Sequence, residues 1–437
     1  MKRGLILLFS KGLYEIPLLG VLLIFTLFGG GYDGKFISGD GHGYYAYLPN
    51  IFIYHDPGFS FAIPLQEKYY GKEHIADFRK KINGRYIDKY FSGVSLLWFP
   101  FFLLAHLLAL LMGNADGYSA PYQYAIGIAA VFYLGIGMYY IRRLLLNYRV
   151  SAKMTGVVLL LIVLGTNLSY FTVFDASYTH VYSFGMIAAF VYYIRKYLQN
   201  RKDKDLYKAL FFFGLVLTIR PVNLLIILFV PFLANDFKTL VSTFSGIRQK
   251  HLLIALLILL PFAFYQMLWW KIQTSSWIVW SYAGESFNFS KPHILSFLFS
   301  YKKGVFIYAP VLLLSLPGLW FMARKSVYSV AAWLIFFMMV VYVLSSWQPW
   351  WYGMSYGSRP MIDYYVGFAV PMGVGLQLPA KKGRLVVLVI GFLFVGINLV
   401  QEYQYKYFIL HWDKMDKSSY WKVFLRTGKK WRGYLWK

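Results

Sequence analysis

The sequence predicts an all-α protein that crosses a membrane many times, with about eleven transmembrane helices. Three observations carry this reading. Of the 437 residues, 59% are hydrophobic and only 14% charged, where a soluble chain has about 45–50% apolar and about 25% charged residues. The apolar residues fall into runs close to the roughly 20 needed to cross about 30 Å of hydrocarbon. Basic residues gather in the short stretches between those runs. Barrel strands would be about 10 residues long with alternating polarity, and these runs are neither.

The first run, 11–30 (KGLYEIPLLGVLLIFTLFGG), leads into GGYDGKF rather than a small-residue cleavage site, so it reads as a retained span. Further runs lie at 122–141, 154–174, 178–195, 251–269, 305–322, 327–345, 361–379 and 384–400. Segment 207–234 is interrupted by Arg220–Pro221. Proline removes a donor and ends or kinks a helix, so two short spans, 207–219 and 222–234, are expected there.

Orientation follows from the basic loops. Clusters occur at Arg142–Lys153, Arg195–Lys208, Lys238–Lys250, Arg324–Lys325 and Lys381–Arg384. Placing all of them inside puts Met1–Lys11 inside as well. Loops 31–90, 270–303 and 346–360 and the tail then lie outside. Counted as a crossing, 91–112 (FSGVSLLWFPFFLLAHLLALLM) would reverse this parity. It is therefore expected to be a juxtamembrane or re-entrant segment within an outer-face loop 31–121. A membrane domain over 1–400 is followed by a short basic, Trp-rich tail, 401–437.

The net charge of +26 fits positive-inside bias and contact with membrane lipid rather than nucleic acid. With no cysteine, disulfide frameworks and thiolate chemistry are excluded. Neither a P-loop nor a dinucleotide fingerprint occurs. No strong internal repeat is visible, which counts against a transporter built from inverted repeats.

Several polar groups are set where the membrane makes them costly. SGDGHGYYAYLPN (38–50) follows the first span and presents Asp40 between glycines, then His42, Tyr44 and Tyr45. A carboxylate there suits a general base or a metal ligand, and Asp and Gly equally suit a turn. FTVFDASYTHVYSF places Asp175 and His180 in a short turn, as functional groups or as a packed hydrogen-bonded pair. Arg220 stands between two apolar half-segments and calls for a phosphate or a carboxylate. SSWQPWWYGMSYGSRPMIDYYVGF (345–368) gathers Trp351, Tyr352, Tyr356, Arg359 and Asp363. Aromatic faces suit a sugar or an isoprenoid chain, and Arg359 suits a phosphate. An Arg359–Asp363 pair one helical turn apart is the plainer reading. In the second outer loop Glu285, Lys291, Lys302 and Lys303 are candidates for contact with phosphate or acceptor.

These motifs, in this order, resemble the polytopic GT-C glycosyltransferases that use polyprenyl-phosphate-linked sugars, especially bacterial relatives of the protein O-mannosyltransferases and of the lipid A aminoarabinose transferase. The resemblance rests on GDGHGYYAYLP after the first span, FDASYTH, LTIRPVNLL, YKKGVFIYAP and WWYGMSYGSRPMIDY, and covers about residues 11–400. It implies a GT-C-like fold in a bacterial cytoplasmic (inner) membrane, with the active site facing the periplasm or exterior. A sugar would move from a lipid-linked donor to a hydroxyl of a glycan, lipid or protein, with inversion. Asp40 and Asp175 would be the catalytic acids, and Arg220 and Arg359 would hold the donor phosphate. His42, Tyr44, Tyr45, His180, Glu285, Trp351, Tyr352 and Tyr356 would line the substrate site. No cofactor is firmly implied; a divalent metal is compatible. The sequence departs from the pattern in two ways: Asp40 precedes Gly41 rather than a second acid, and no large domain follows the last span. A flippase or transporter of lipid-linked sugars, or a glycan ligase, is the alternative.

Overall fold

The computed structural model describes residues 10–377 and 380–436. The expected inside position of Met1–Lys11 therefore falls almost wholly outside the described residues, as does the end of run 361–379. The helices that carry the argument are α1 (Glu15–Gly29), α2 (Gly41–Pro49), α3 (Gly93–Leu111), α4 (Ala120–Asn147), α5 (Ala152–Leu164), α6 (His180–Asn200), α7 (Asp203–Ile219), α8 (Gln249–Thr274), α9 (Val327–Ser345), α10 (Val366–Gly375) and α11 (Lys381–Lys406).

The architecture is helical and of membrane type. Among the described residues five helices, α3, α4, α8, α9 and α11, are long and apolar enough to cross a membrane. A sixth span results if Pro221–Ala234 and Phe237–Ser245, bent by 117°, count as one. The other expected runs are helical too, but they are shorter, interrupted or more polar. Run 154–174 divides into α5 and Leu168–Val173, and run 305–322 into Val305–Tyr308, Pro310–Leu314 and Ser315–Ala323. The break at Arg220–Pro221 is present. α7 stops at Ile219, Arg220 is extended, and Pro221–Phe229 continues as a 3-10 helix. The residue before a proline is driven out of the helical region, which accounts for the stop.

The core is built by close crossing of α4 and α6. A side chain at Gly137 would meet the Phe184 ring at 2.6 Å, and one at Gly185 the Tyr133 carbonyl oxygen at 2.8 Å. Small residues let helix backbones approach where dispersion, not water exclusion, holds helices together. α8 turns Leu252, Leu253, Leu256, Leu257, Leu260 and Phe264 outward, as a lipid-facing helix does.

The five basic clusters meet at one end of the bundle. Arg142 pairs with Glu15, Arg195 binds Asn147, Lys250 pairs with Asp203, and Arg201 binds Thr239 and Ser242. Ser326, beside Lys325, binds Asn235, and Gln377, near Lys381, binds Arg149 and Ser151. The loops at 31–90 and 346–360 and the tail lie at the other end. There Lys406, at the end of α11, binds the Gly31 carbonyl.

Loop 31–90 is more ordered than the sequence reading expects. It holds α2, a second helix Ala62–Tyr70 and an antiparallel hairpin of β1 (Arg79–Ile82) and β2 (Arg85–Asp88). Asn83 and Gly84, both at positive φ, form the two-residue turn, the strongest short-range hairpin signal in any sequence. α3 is one continuous helix antiparallel to α4. The Tyr133 hydroxyl donates to the Leu97 carbonyl at 3.0 Å, and His106 lies 2.6 Å from the Tyr122 hydroxyl. α3 therefore starts level with Tyr133, while α4 continues to Asn147. Gly93 abuts Thr218 beside Arg220, and the loop after α3 binds Tyr45 and Tyr54. The end of α3 thus lies at the loop end and its start partway along the bundle, and its length and hydropathy suffice for a crossing.

Candidate functional site

The site is assembled from the start of α2, the turn before α6, the break after α7, and the segment leading into α10. Asp40 is the residue before α2. Gly39 ahead of it has φ +51, and a side chain there would strike the Tyr178 hydroxyl at 2.3 Å. Glycine is the residue that adopts this backbone without penalty. One side chain at Gly41 would collide with Ser177 Oγ at 1.9 Å. Chain 38–41 is thus pressed onto 177–178, which sets the direction of the Asp40 carboxylate.

Arg359 Nη1 lies 2.7 Å from Asp40 Oδ2, and its guanidinium carbon sits 5.0 Å above the Tyr178 ring. Tyr90 and Lys89 stand near Asp40 as well. Burial pushes the Asp40 carboxyl up, but Arg359, Tyr90 and Lys89 together bring it below the ordinary carboxylate value. Its side chain keeps 27% exposure, so solvent or a ligand reaches it.

A second pair lies alongside. Arg220 Nη1 is 2.8 Å from Asp363 Oδ2, and His180 Nδ1 is 2.8 Å from Asp363 Oδ1. Asn223 donates to the same carboxylate at 2.9 Å and receives the Tyr364 hydroxyl at 3.0 Å. Asp363 is fully buried, while Arg220 keeps 15% exposure. The carboxylate is saturated by donors, as a buried charge must be, and it fixes Arg220 within the field of Tyr44 and Tyr352. Tyr44 feels Asp40, Arg220 and Arg359 together, and Tyr352 feels both arginines and Asp363. Those two tyrosines join the two ion pairs into one cluster.

Asp175 sits behind Asp40, buried, within the field of Arg359, Lys406 and Lys303. Burial dominates and, with the repulsion of Asp40, pushes its carboxyl up to about 7. Lys303 is buried and donates to Ser355. Burial, Arg359 and Lys302 push its amine well below the ordinary lysine value.

The structure thus brings together Asp40, Asp175, Arg220, Arg359, Tyr44, His180 and Tyr352. It sets the others apart. His42 points away from Asp40 into a ring cluster with Tyr70 and Tyr118, where burial pushes its imidazole down to about 3. Tyr45 is a core residue bonded to the Gly117 carbonyl at 2.5 Å. Tyr356 is a buried pillar bonded to Asn398 at 2.8 Å. Glu285 pairs with Lys89 at 2.7 Å, one step outside the cluster. Trp351 lies under Lys302, 3.8 Å from its ring centroid. The Arg359–Asp363 pair is replaced by Asp40–Arg359 and Arg220–Asp363, because segment 359–364 is a 3-10 helix, whose side chains do not line up four residues apart.

Sequence reasoning missed Lys89, Tyr90, Tyr178 and Asn223. Tyr178 and Asn223 lie within motifs already singled out, FDASYTH and LTIRPVNLL. Lys89 and Tyr90 follow a hairpin and carry no local signal. Among the described residues no group of three or more His, Cys, Asp or Glu is placed to hold a metal ion. The cluster therefore offers two cationic forks, an accessible carboxylate beside one of them, and tyrosine faces between. Comparison with protein-family models, curated proteins and solved structures returns no match.

Proposed function

We propose that the chain is a glycosyltransferase that moves a sugar from a polyprenyl-phosphate donor to a hydroxyl acceptor, with inversion at the anomeric carbon. The observation that carries this reading is the joining of Asp40–Arg359 to Arg220–Asp363 in one cluster inside an apolar bundle. We place the chain in a bacterial cytoplasmic membrane with the cluster facing outward, because all the basic clusters lie at the opposite end.

In this reading the donor phosphate takes the free edges of Arg220 and Arg359, whose planar forks suit phosphate oxygens. Tyr44 and Tyr352 flank the sugar. The acceptor oxygen attacks the anomeric carbon, the bond from that carbon to the phosphate oxygen breaks, and polyprenyl phosphate leaves. Its added charge is stabilised by the two arginines. The acceptor proton passes to Asp40. Drawing Arg359 toward the phosphate weakens the interaction that holds the Asp40 carboxyl low, so donor binding makes the base stronger. Asp175 adjusts the charge of the cluster from behind.

The test is transfer by the purified full chain from a polyprenyl-phosphate sugar to a hydroxyl acceptor, with Asp40→Asn as control. Wild-type product with loss in the variant supports the reading. Vesicle scrambling of the donor without covalent product overturns it in favour of a flippase, and transfer of a preassembled glycan makes it a ligase.

A further inference from the structure

A second feature lies at the basic end, away from the cluster. A cavity of about 400 Å³ is lined by Tyr139, Arg143, Asn147, Tyr192, Lys196 and Gln199, among others. It shares Tyr139 with a groove of about 640 Å³ that runs along α1 and α4 past Leu19, Gly20, Leu23, Phe132 and Gly135 to Phe212. The first carries the cationic side chains Arg143 and Lys196 on a largely apolar wall, and the second is wholly apolar but for its tyrosines. Together they have the shape of a charged head and a hydrocarbon tail.

The Arg143 guanidinium is held between two phenols. It donates to the Tyr192 hydroxyl at 2.9 Å and the Tyr139 hydroxyl at 2.7 Å, and lies over both rings. Among the described residues no carboxylate pairs with it. Lys196 faces the same cavity and has one acid, Asp205, at 3.1 Å. The cavity thus keeps an uncompensated positive charge on a rigid aromatic mount. Its depth fits a head group. On α4, Gln123 binds the Phe36 and Ile37 amides at the loop end. Arg143 lies at about 1.5 Å of rise per residue further along, some 30 Å away, about one hydrocarbon thickness.

We propose that this composite site binds one anionic phospholipid of the leaflet opposite the candidate active site. The phosphate sits at Arg143 with Lys196 beside it, and one acyl chain fills the groove. Charge selects the head group, since each basic residue near the surface favours anionic lipid. The glycines keep the groove open. A side chain on Gly20 would meet nothing within 4 Å, so that space is unfilled by protein.

Native mass spectrometry of the full chain, with phosphatidylglycerol or phosphatidylcholine of the same chains, tests this. The wild type should retain one phosphatidylglycerol in preference to phosphatidylcholine. Arg143→Gln should lower that occupancy about fivefold. Gly20→Leu should lower it comparably by filling the groove, with the thermal midpoint held. Lys196 is left unchanged because Asp205 depends on it. Equal retention of both lipids overturns the site, as does unchanged occupancy in both variants. Displacement of the lipid by millimolar inorganic phosphate, with no effect of Gly20→Leu, also overturns it and leaves a free-phosphate site.

Discussion

Arg359 pairs with Asp40 at 2.7 Å rather than with Asp363, one turn further on, which pairs instead with Arg220 at 2.8 Å. Each arginine thus belongs to a carboxylate from a distant part of the chain, and the two pairs differ in exposure. Asp40 keeps 27% of its side chain exposed and Asp363 none. On the proposed mechanism that difference makes Asp40 the reacting group and Asp363 a positioning one.

Asp40→Asn and Asp363→Asn should therefore fail differently. Removing a general base lowers turnover by about 10²–10⁴-fold, with the fold intact. Removing one partner of a buried ion pair costs about 3–5 kcal/mol. Asp40→Asn should lose transfer and melt less far below the wild type than Asp363→Asn, because Asp40 is partly exposed and Asp363 is not. Asp363→Asn should melt markedly lower, since Arg220 loses its counter-charge and one of the two accepting oxygens becomes an amide nitrogen that cannot accept. Equal melting temperatures for both would remove the distinction.

The acidity of Asp175 makes a prediction about pH. Its carboxyl is raised from 3.8 to about 7, so the folded chain holds a proton there that the unfolded chain has released. Its contribution is complete below about pH 4 and is lost as pH rises through about 7. Between those values the wild type should lose stability relative to Asp175→Asn, which cannot ionise. Melting temperatures of the two proteins from pH 4 to 8 measure this, and parallel curves would contradict it.

The packing of Gly41 on Ser177 is equally specific. Gly41→Ala should displace Asp40 and abolish transfer, because the new carbon meets Ser177 Oγ at 1.9 Å and Cβ at 2.4 Å. Adding Ser177→Gly removes both atoms and should restore part of the activity. Transfer rates of the single and double variants decide it. A double variant as inactive as Gly41→Ala would place the cause elsewhere.

The course of α3 can be read by labelling, since the chain has no cysteine of its own. Glu73→Cys, Asn114→Cys and Met354→Cys, all at exposed positions, should react with an impermeant thiol reagent added from one side. Arg149→Cys and Lys202→Cys should react only from the other. Asn114→Cys reacting with the second group would make α3 a crossing.

Much of the helical architecture was legible because apolar runs of that length have no other place than lipid. The break at Pro221 was legible because proline lacks the donor a helix needs. The folding of 31–90 was less so: only Asn83–Gly84 announced the hairpin, and Lys89 and Tyr90 enter the site through it. His42, Tyr45 and Tyr356 resembled site residues, and packing turned them into the core.

By itself the sequence determined that the chain is helical, of membrane type and basic at one end, since composition and charge act residue by residue. It also named Asp40, Asp175, Arg220 and Arg359 as costly groups needing partners. Only the tertiary structure decided which partners they have. An ion pair depends on distances of a few ångströms between segments 143 residues apart or more. Those distances follow from how helices cross, where glycines let them touch, and how a 3-10 segment turns Arg359 away from Asp363 and toward Asp40.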